Sequence, residues 1–259
     1  MELTWLGVAG FKIDTGEGAT LLIDPFLSRP KKARPVLPLQ LADLTPVDEI
    51  LLTNGRFDHS LDTPTLARQT GAIVHAAESI CRRLAQAGVS NHTLEPITFQ
   101  KPKRLGSLVW QALPSLVNQA DSSLVLRALT RSPQVLPQVR ALEEQWLVGD
   151  MVAYRLQGEG LSLVHFGSAA WIDSEIRELR PDIALIPVEN YPNISAAAVG
   201  LTLLLLPRLV ILHHWDDYYP PVSQMINLKE FEAVTRLVAP GVKVYIPSIG
   251  QRFNPADLL

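Results

Sequence analysis

Apolar side chains recur at alternate positions or in short unbroken runs over Leu3 to Gly7, Phe11 to Asp14 and Ala19 to Asp24, the pattern of strands with at least one face in a core. Gly16-Glu17-Gly18 separates the last two runs and reads as a hairpin turn, so an antiparallel meander is expected to open the fold. After a Pro-rich loop from Pro25 to Pro46 the pattern alternates between strand and helix. It predicts strand Glu49 to Thr53, helix Pro64 to Gln69, strand Ala72 to Ala76, helix Glu78 to Ala87, and strands near His92 to Ile97 and Leu105 to Leu113.

A second run follows the same logic. Val152 to Gln157 and Leu161 to Phe166 flank Gly158-Glu159-Gly160 as another hairpin. Helix Asp173 to Leu179, strand Ile183 to Val188, helix Ala196 to Leu206 with Ser195 as its cap, strand Leu209 to Leu212, helix Leu228 to Val238 and strand Val242 to Ile246 come next. Two halves that each pass from a hairpin into strand and helix alternation predict an α/β fold, a duplicated four-layer αββα sandwich of two mixed β-sheets with helices outside. The 259 residues, 47% of them hydrophobic, are expected to form one domain over 1–259. Its least regular part is an apolar insert at about 117–149, expected to be amphipathic helix in parts. The insert either packs on the core or on a second subunit of a homo-oligomer, or forms a lid that selects an apolar or amphiphilic ligand.

Charge narrows the partners. A formal net charge of -3 provides no overall basic field for nucleic acid or anionic lipid. Cys81 is the only cysteine, which excludes an intramolecular disulfide and a cysteine-based zinc site. Within its helix it is read as a small buried hydrophobe. No basic segment with an apolar run precedes the first strand, so the cytoplasm is the expected location. Ala196 to Leu212 is apolar enough to suggest a membrane span, but Pro207-Arg208 cuts it into pieces too short to cross a bilayer. No integral membrane segment is expected.

The chain has no Gly-rich phosphate loop, G-x-S-x-G elbow or dinucleotide fingerprint. Its most informative segment is Leu51-Leu52-Thr53-Asn54-Gly55-Arg56-Phe57-Asp58-His59-Ser60, where an apolar strand runs into an Asp-His pair. The opening Trp5-Leu6-Gly7-Val8-Ala9-Gly10-Phe11 and the later Leu21-Leu22-Ile23-Asp24-Pro25-Phe26-Leu27 resemble the start of metallo-β-lactamase-fold hydrolases of the ascorbate-phosphate lactonase-like branch, which read W-L-G-H-A-G-F and L-L-I-D-P-F. Asp58-His59, Phe166-Gly167-Ser168-Ala169 and His213-His214-Trp215 follow in the order of that superfamily's motifs. The resemblance covers nearly the whole chain.

A complete site of that family reads H-x-H-x-D-H, with a later His, a bridging Asp and a C-terminal His. Here Asn54 and Arg56 stand at the first two histidines, Ser115 or a neighbour at the later His, Ser168 at the bridging Asp, and Val8 at the His of the opening motif. The resemblance implies that Asp58, His59 and one of His213 or His214 remain as metal ligands. Strand alternation lets only one of the two histidines face the site. His214 is favoured, because an aromatic and then a Pro follow it as in the family's last motif.

Three N/O donors and water suffice for one divalent ion. Zinc is the first expectation, manganese the alternative, and no metal at all the third outcome. Arg56 opposes restoration of the missing ion and offers an anion-binding fork, with Ser168 beside it as a second substrate contact. Asp217 is a candidate further ligand or catalytic base, and Asp24 is expected as an anchor behind the ligands. His165 is read as a structural strand residue, and His75 and His92 as surface or packing residues. Two functions stay open: a metal-dependent hydrolase of an ester, lactone or phosphoester small molecule, or a catalytically inactive member of the fold that binds a ligand or serves assembly.

Overall fold

In the computed structural model the chain is described over residues 1–116, 123–146, 148–167, 170–188 and 194–259, with backbone alone at 123, 194 and 195. The first half contains β1 (Glu2–Gly7), β2 (Gly10–Asp14), β3 (Thr20–Ile23), β4 (Glu49–Leu51), α1 (Phe57–Ser60), α2 (Thr63–Thr70), β5 (Ile73–Ala76), α3 (Glu78–Gln86) and β6 (Leu94–Pro96). Then come β7 (Lys103–Leu105), β8 (Leu108–Pro114), α4 (Ser123–Arg131), α5 (Leu136–Gln145), β9 (Val152–Gly158), β10 (Leu161–Phe166), α6 (Asp173–Ile176) and β11 (Ile183–Pro187). The chain closes with α7 (Ile194–Leu205), β12 (Leu209–His213), α8 (Lys229–Val238), β13 (Lys243–Tyr245) and β14 (Arg252–Phe253).

The strands form two seven-stranded sheets, ordered β14-β1-β2-β3-β4-β5-β6 and β13-β12-β11-β10-β9-β8-β7. In the first, the pairings from β14 to β3 are antiparallel and those from β3 to β6 parallel. In the second, the pairings from β7 to β10 are antiparallel and those from β10 to β13 parallel. The duplication expected from the two hairpins is therefore visible as one pairing pattern used twice. The outer strand of the first sheet comes from far along the chain, with Leu3 opposite Phe253.

Alternation assigns the faces. Leu3, Trp5, Phe11, Ile13, Leu21, Ile23 and Leu51 share the inter-sheet core with Trp110, Tyr154 and Leu156. Leu6, Leu22, Ile50 and Val74 pack outward on Leu66 of α2 and Ile80 and Leu84 of α3. Each such fully buried side chain contributes roughly 1.5–3 kcal/mol relative to exposure. Behind the second sheet the core continues to Leu201 and Leu205 of α7 and Phe231 of α8. The result is the four-layer α/β sandwich of two mixed sheets.

Several boundaries differ from the sequence reading. Leu105 to Leu113 is two strands, because Gly106 at φ +55 turns the chain between β7 and β8. His92 lies in a 3-10 turn, Asn91–Thr93, ahead of β6. The helix from Asp173 ends at Ile176, and α7 begins at Ile194, which puts Ser195 inside its first turn instead of at the cap. Among the described residues no helix is long and apolar enough to cross a membrane. Helices α4 and α5 of the insert pack on each other, and Leu124, Ala128, Val139 and Trp146 join the cluster that contains Phe57 of α1.

Candidate metal centre

Asp58, His59 and His214 offer ligand atoms that all lie within 4.8 Å of one another, and all three residues are buried. Among the described residues no other group of three His, Cys, Asp or Glu side chains meets this closeness. Asp58 Oδ2 is 3.8 Å from His214 Nε2, and the rings of His59 and His214 are 5.8 Å apart. The first two residues owe their place to a sharp turn after β4. The Asn54 side-chain oxygen accepts the Arg56 N–H at 2.9 Å, and the Ser60 hydroxyl bonds to the Gly55 and Arg56 carbonyls at 2.9 and 2.8 Å. These bonds close the single turn of α1 that presents Asp58 and His59.

The His59 ring is held from behind. Its Nδ1 lies 2.8 Å from Asp24 Oδ2 and 3.3 Å from Thr53 Oγ1. Asp24 also accepts the Thr53 N–H at 2.7 Å and the Thr53 hydroxyl at 2.5 Å. With Nδ1 donating to that carboxylate, Nε2 carries the lone pair and is the atom that would face an ion. Burial works against a charged His59, but the carboxylates of Asp24 and Asp58 outweigh it, so the pKa is raised.

His214 reaches the cluster by a route that alternation does not foresee. Strand β12 ends at His213, and His214 takes a left-handed backbone with φ 61. His213 stays in the inter-sheet core, stacked on His165 with centroids 5.0 Å apart and planes at 9°. Burial, and then the neighbouring His165 and His214, push the pKa of His213 well below the usual value. His165 Nε2 bonds to the Ala9 carbonyl at 2.9 Å, and burial lowers its pKa to about 4. His165 thus sits in the core as a strand residue, and His213 lies outside the triad.

The other sequence candidates have definite places. Arg56 is buried, with Nε 3.4 Å from Asp58 Oδ1. The Asn54 side chain is turned into its own loop, and the Ser115 hydroxyl donates to the Ala170 carbonyl at 2.6 Å. The Asp217 carboxylate accepts the Ser223 hydroxyl, while its backbone pairs with Arg34. Ser168 lies outside the described residues. Gly167 before it is packed so closely that an added Cβ would lie 1.9 Å from Thr53 Oγ1. His75 is buried against Trp110, with ring centroids 4.6 Å apart. Sequence reasoning missed Arg29 and Asp216, whose buried ion pair at 2.6 Å flanks the cluster. No spacing or periodicity connects them.

Three N/O donors, two of them imidazoles, one held by a carboxylate, fit one divalent ion in an open site. Asn54 and Arg56, where the resemblance expects further histidine ligands, carry an amide and a guanidinium in their place.

Comparison with known proteins bears on the family and the fold. The family model for the beta-lactamase superfamily domain matches residues 2–214. A UPF0173 metal-dependent hydrolase of Rubrobacter xylanophilus is 40% identical over 263 residues, covering 98% of this chain and 96% of the relative. A protein of the same description from Polynucleobacter asymbioticus is 27% identical, covering 91% and 80%. Among solved structures, Igni18, a metallo hydrolase from Ignicoccus hospitalis, shares the fold with a TM-score of 0.69 at 21% identity over 98% of each chain. The metallo-beta-lactamase fold protein YhfI from Bacillus subtilis does so with a TM-score of 0.65 at 15% identity, covering 97% of this chain and 98% of that one.

Proposed function

The chain belongs to the beta-lactamase superfamily domain family, and on that premise we propose a metal-dependent hydrolase that holds at most one divalent ion, at Asp58, His59 and His214. Its substrate class is an ester, lactone or phosphoester. The convergence of these three buried donors from the two sheets carries the reading. When bound, the ion, zinc before manganese, would polarise a carbonyl or phosphoryl oxygen and acidify water. Asp24 and Thr53 hold His59 in the ligating tautomer. Burial of Arg56, Asp58 and His214 keeps bulk water away and strengthens each charge interaction. Arg56 offers its guanidinium to an anionic group of the substrate, with Ser168 as the second proposed contact. Asp217 would have to exchange its Ser223 partner to act as a base.

Arg56 also favours a second reading. A fixed positive charge 3.4 Å from Asp58 partly takes over what an ion would do there, as in a non-catalytic member that binds a ligand. Metal analysis of protein purified without chelator separates the two. One equivalent is expected, lost in Asp58→Ala and His59→Ala and kept in folded His165→Ala, with turnover of an aryl ester, lactone or phosphodiester panel lost in parallel. Two tightly held equivalents would refute the single-ion site, and none would leave the ligand-binding reading.

A further inference from the structure

His214 and Val8 both occupy the left-handed region, at φ 61 and φ 50. This conformation is disfavoured for any residue with a Cβ and most for a β-branched one, so the surroundings must hold both. The two are joined directly, with the His214 N–H donating to the Val8 carbonyl at 2.9 Å. Trp5 Nε1 donates to the same carbonyl at 3.1 Å. On its other side the Val8 N–H points between the two oxygens of Asp216, at 3.0 and 3.2 Å. Asp216 follows His214 by two positions, so the loop after β12 grips the β1–β2 turn at both ends of one residue.

Arg29 completes the arrangement. Its Nη2 donates to Asp216 Oδ2 at 2.6 Å, and the side chains of the pair are only 4% and 0% exposed. Arg29 Nε and Nη1 have no hydrogen-bond partner among the described residues. A buried ion pair with such incomplete satisfaction is a poor source of stability, and its value lies in fixing position. Gly7 leaves the room the pair occupies. At φ +93, an added Cβ there would come within 2.8 Å of Arg29 Nη1 and 3.2 Å of Asp216 Oδ2.

We propose that Arg29 and Asp216 are positioning residues that, through the Val8 turn, fix the backbone of His214 and thereby the place of its imidazole in the triad. The consequence for the ion rests on the single-ion reading above. Loss of the Asp216 carboxylate leaves a buried Val8 N–H without its acceptor and Arg29 without its counter-charge. The strained turn then relaxes and His214 moves with it. Replacing the pair together, as Arg29→Met with Asp216→Asn, keeps an oxygen on the Val8 N–H and removes both charges.

Two measurements test this. In metal-free protein, the His214 amide hydrogen should exchange at least about tenfold faster in Asp216→Ala and in Arg29→Met than in the wild type, as local opening becomes easier. In chelator competition, zinc affinity should fall by about 10–100-fold in each, the size of effect seen when support behind a ligand is removed. The cobalt-substituted absorption bands should shift with it. The Arg29→Met/Asp216→Asn double variant should recover most of the protection and affinity. Wild-type exchange and affinity in folded single variants would overturn the proposal, as would a double variant no better than the singles. Should Asp216→Ala not fold, Arg29→Met carries the same expectation with Asp216 in place. A wild type that binds neither zinc nor manganese would defeat the single-ion reading, while the exchange measurement would still decide the clamp.

Discussion

His59 Nδ1 lies 2.8 Å from Asp24 Oδ2, so the imidazole on the turn after β4 is oriented by a carboxylate at the end of β3. Asp24 holds φ 45 while it accepts two further bonds from Thr53. Asp24→Asn weakens the hold on the Nδ1 proton and permits the wrong tautomer of His59. Zinc affinity in chelator competition is expected to fall by about 10–100-fold. An unchanged affinity would mean that α1 alone positions His59, or that His59 is not a ligand.

Arg56 can be tested by restoring what the resemblance says is missing. Asn54→His, Arg56→His and Ser168→Asp together remove a fixed positive charge and supply two imidazoles and a carboxylate. Zinc titration should show higher affinity than the wild type. A folded triple variant with unchanged stoichiometry and affinity would show that these positions do not face the crevice.

Acid should destabilise the fold through its core histidines. His165 is lowered to about 4 by burial, so between pH 4 and the unfolded value near 6.5 the unfolded chain binds more protons. Its contribution is complete above about pH 6.5 and is lost as pH falls towards 4, amounting to about 2 kcal/mol by pH 5. His213, lowered by the same burial, acts in the same direction. Denaturant midpoints of metal-free protein at pH 7 and 5 should differ less in His165→Gln, which keeps a donor for the Ala9 carbonyl. An undiminished difference would assign the acid sensitivity elsewhere.

Gly167→Ala should be poorly tolerated. The new methyl would sit 1.9 Å from Thr53 Oγ1 and 2.4 Å from its Cβ, where a branched side chain already bonded to Asp24 has little freedom to retreat. A loss of about 1–3 kcal/mol in thermal or denaturant unfolding is expected from such overpacking, together with weaker zinc binding as Thr53 shifts. Wild-type stability would show that the strand end can move without cost.

Much of the architecture was legible because alternation is a local signal. Leu3 and Trp5, or Phe11 and Ile13, declare their shared face from the sequence alone, and the core confirms it. The meeting of Asp58, His59 and His214 in one place follows the motif order, in which the resemblance expects histidines at Asn54 and Arg56. Strand alternation treats His214 as one more strand residue, whereas a positive φ after the last residue of β12 swings it toward Asp58. Arg29 and Asp216, 187 positions apart, gave no signal at all, since a single buried ion pair has neither period nor motif. Gly106, which splits one expected strand in two, looked like an ordinary small residue within an apolar run.

The pairing of Leu3 with Phe253 has a consequence for how the chain is made. In synthesis at about 5–20 residues per second, β1 leaves the ribosome on the order of 10–50 s before its outer partner exists. Throughout that delay the outer edge of β1 presents unpaired N–H and C=O groups beside Leu3 and Trp5, an inviting template for a strand from another chain. Arg252 and Phe253, the two residues of β14, end this exposure. A nascent molecule stalled short of them would carry a finished crevice and an open seam, and its hazard would be aggregation instead of lost chemistry.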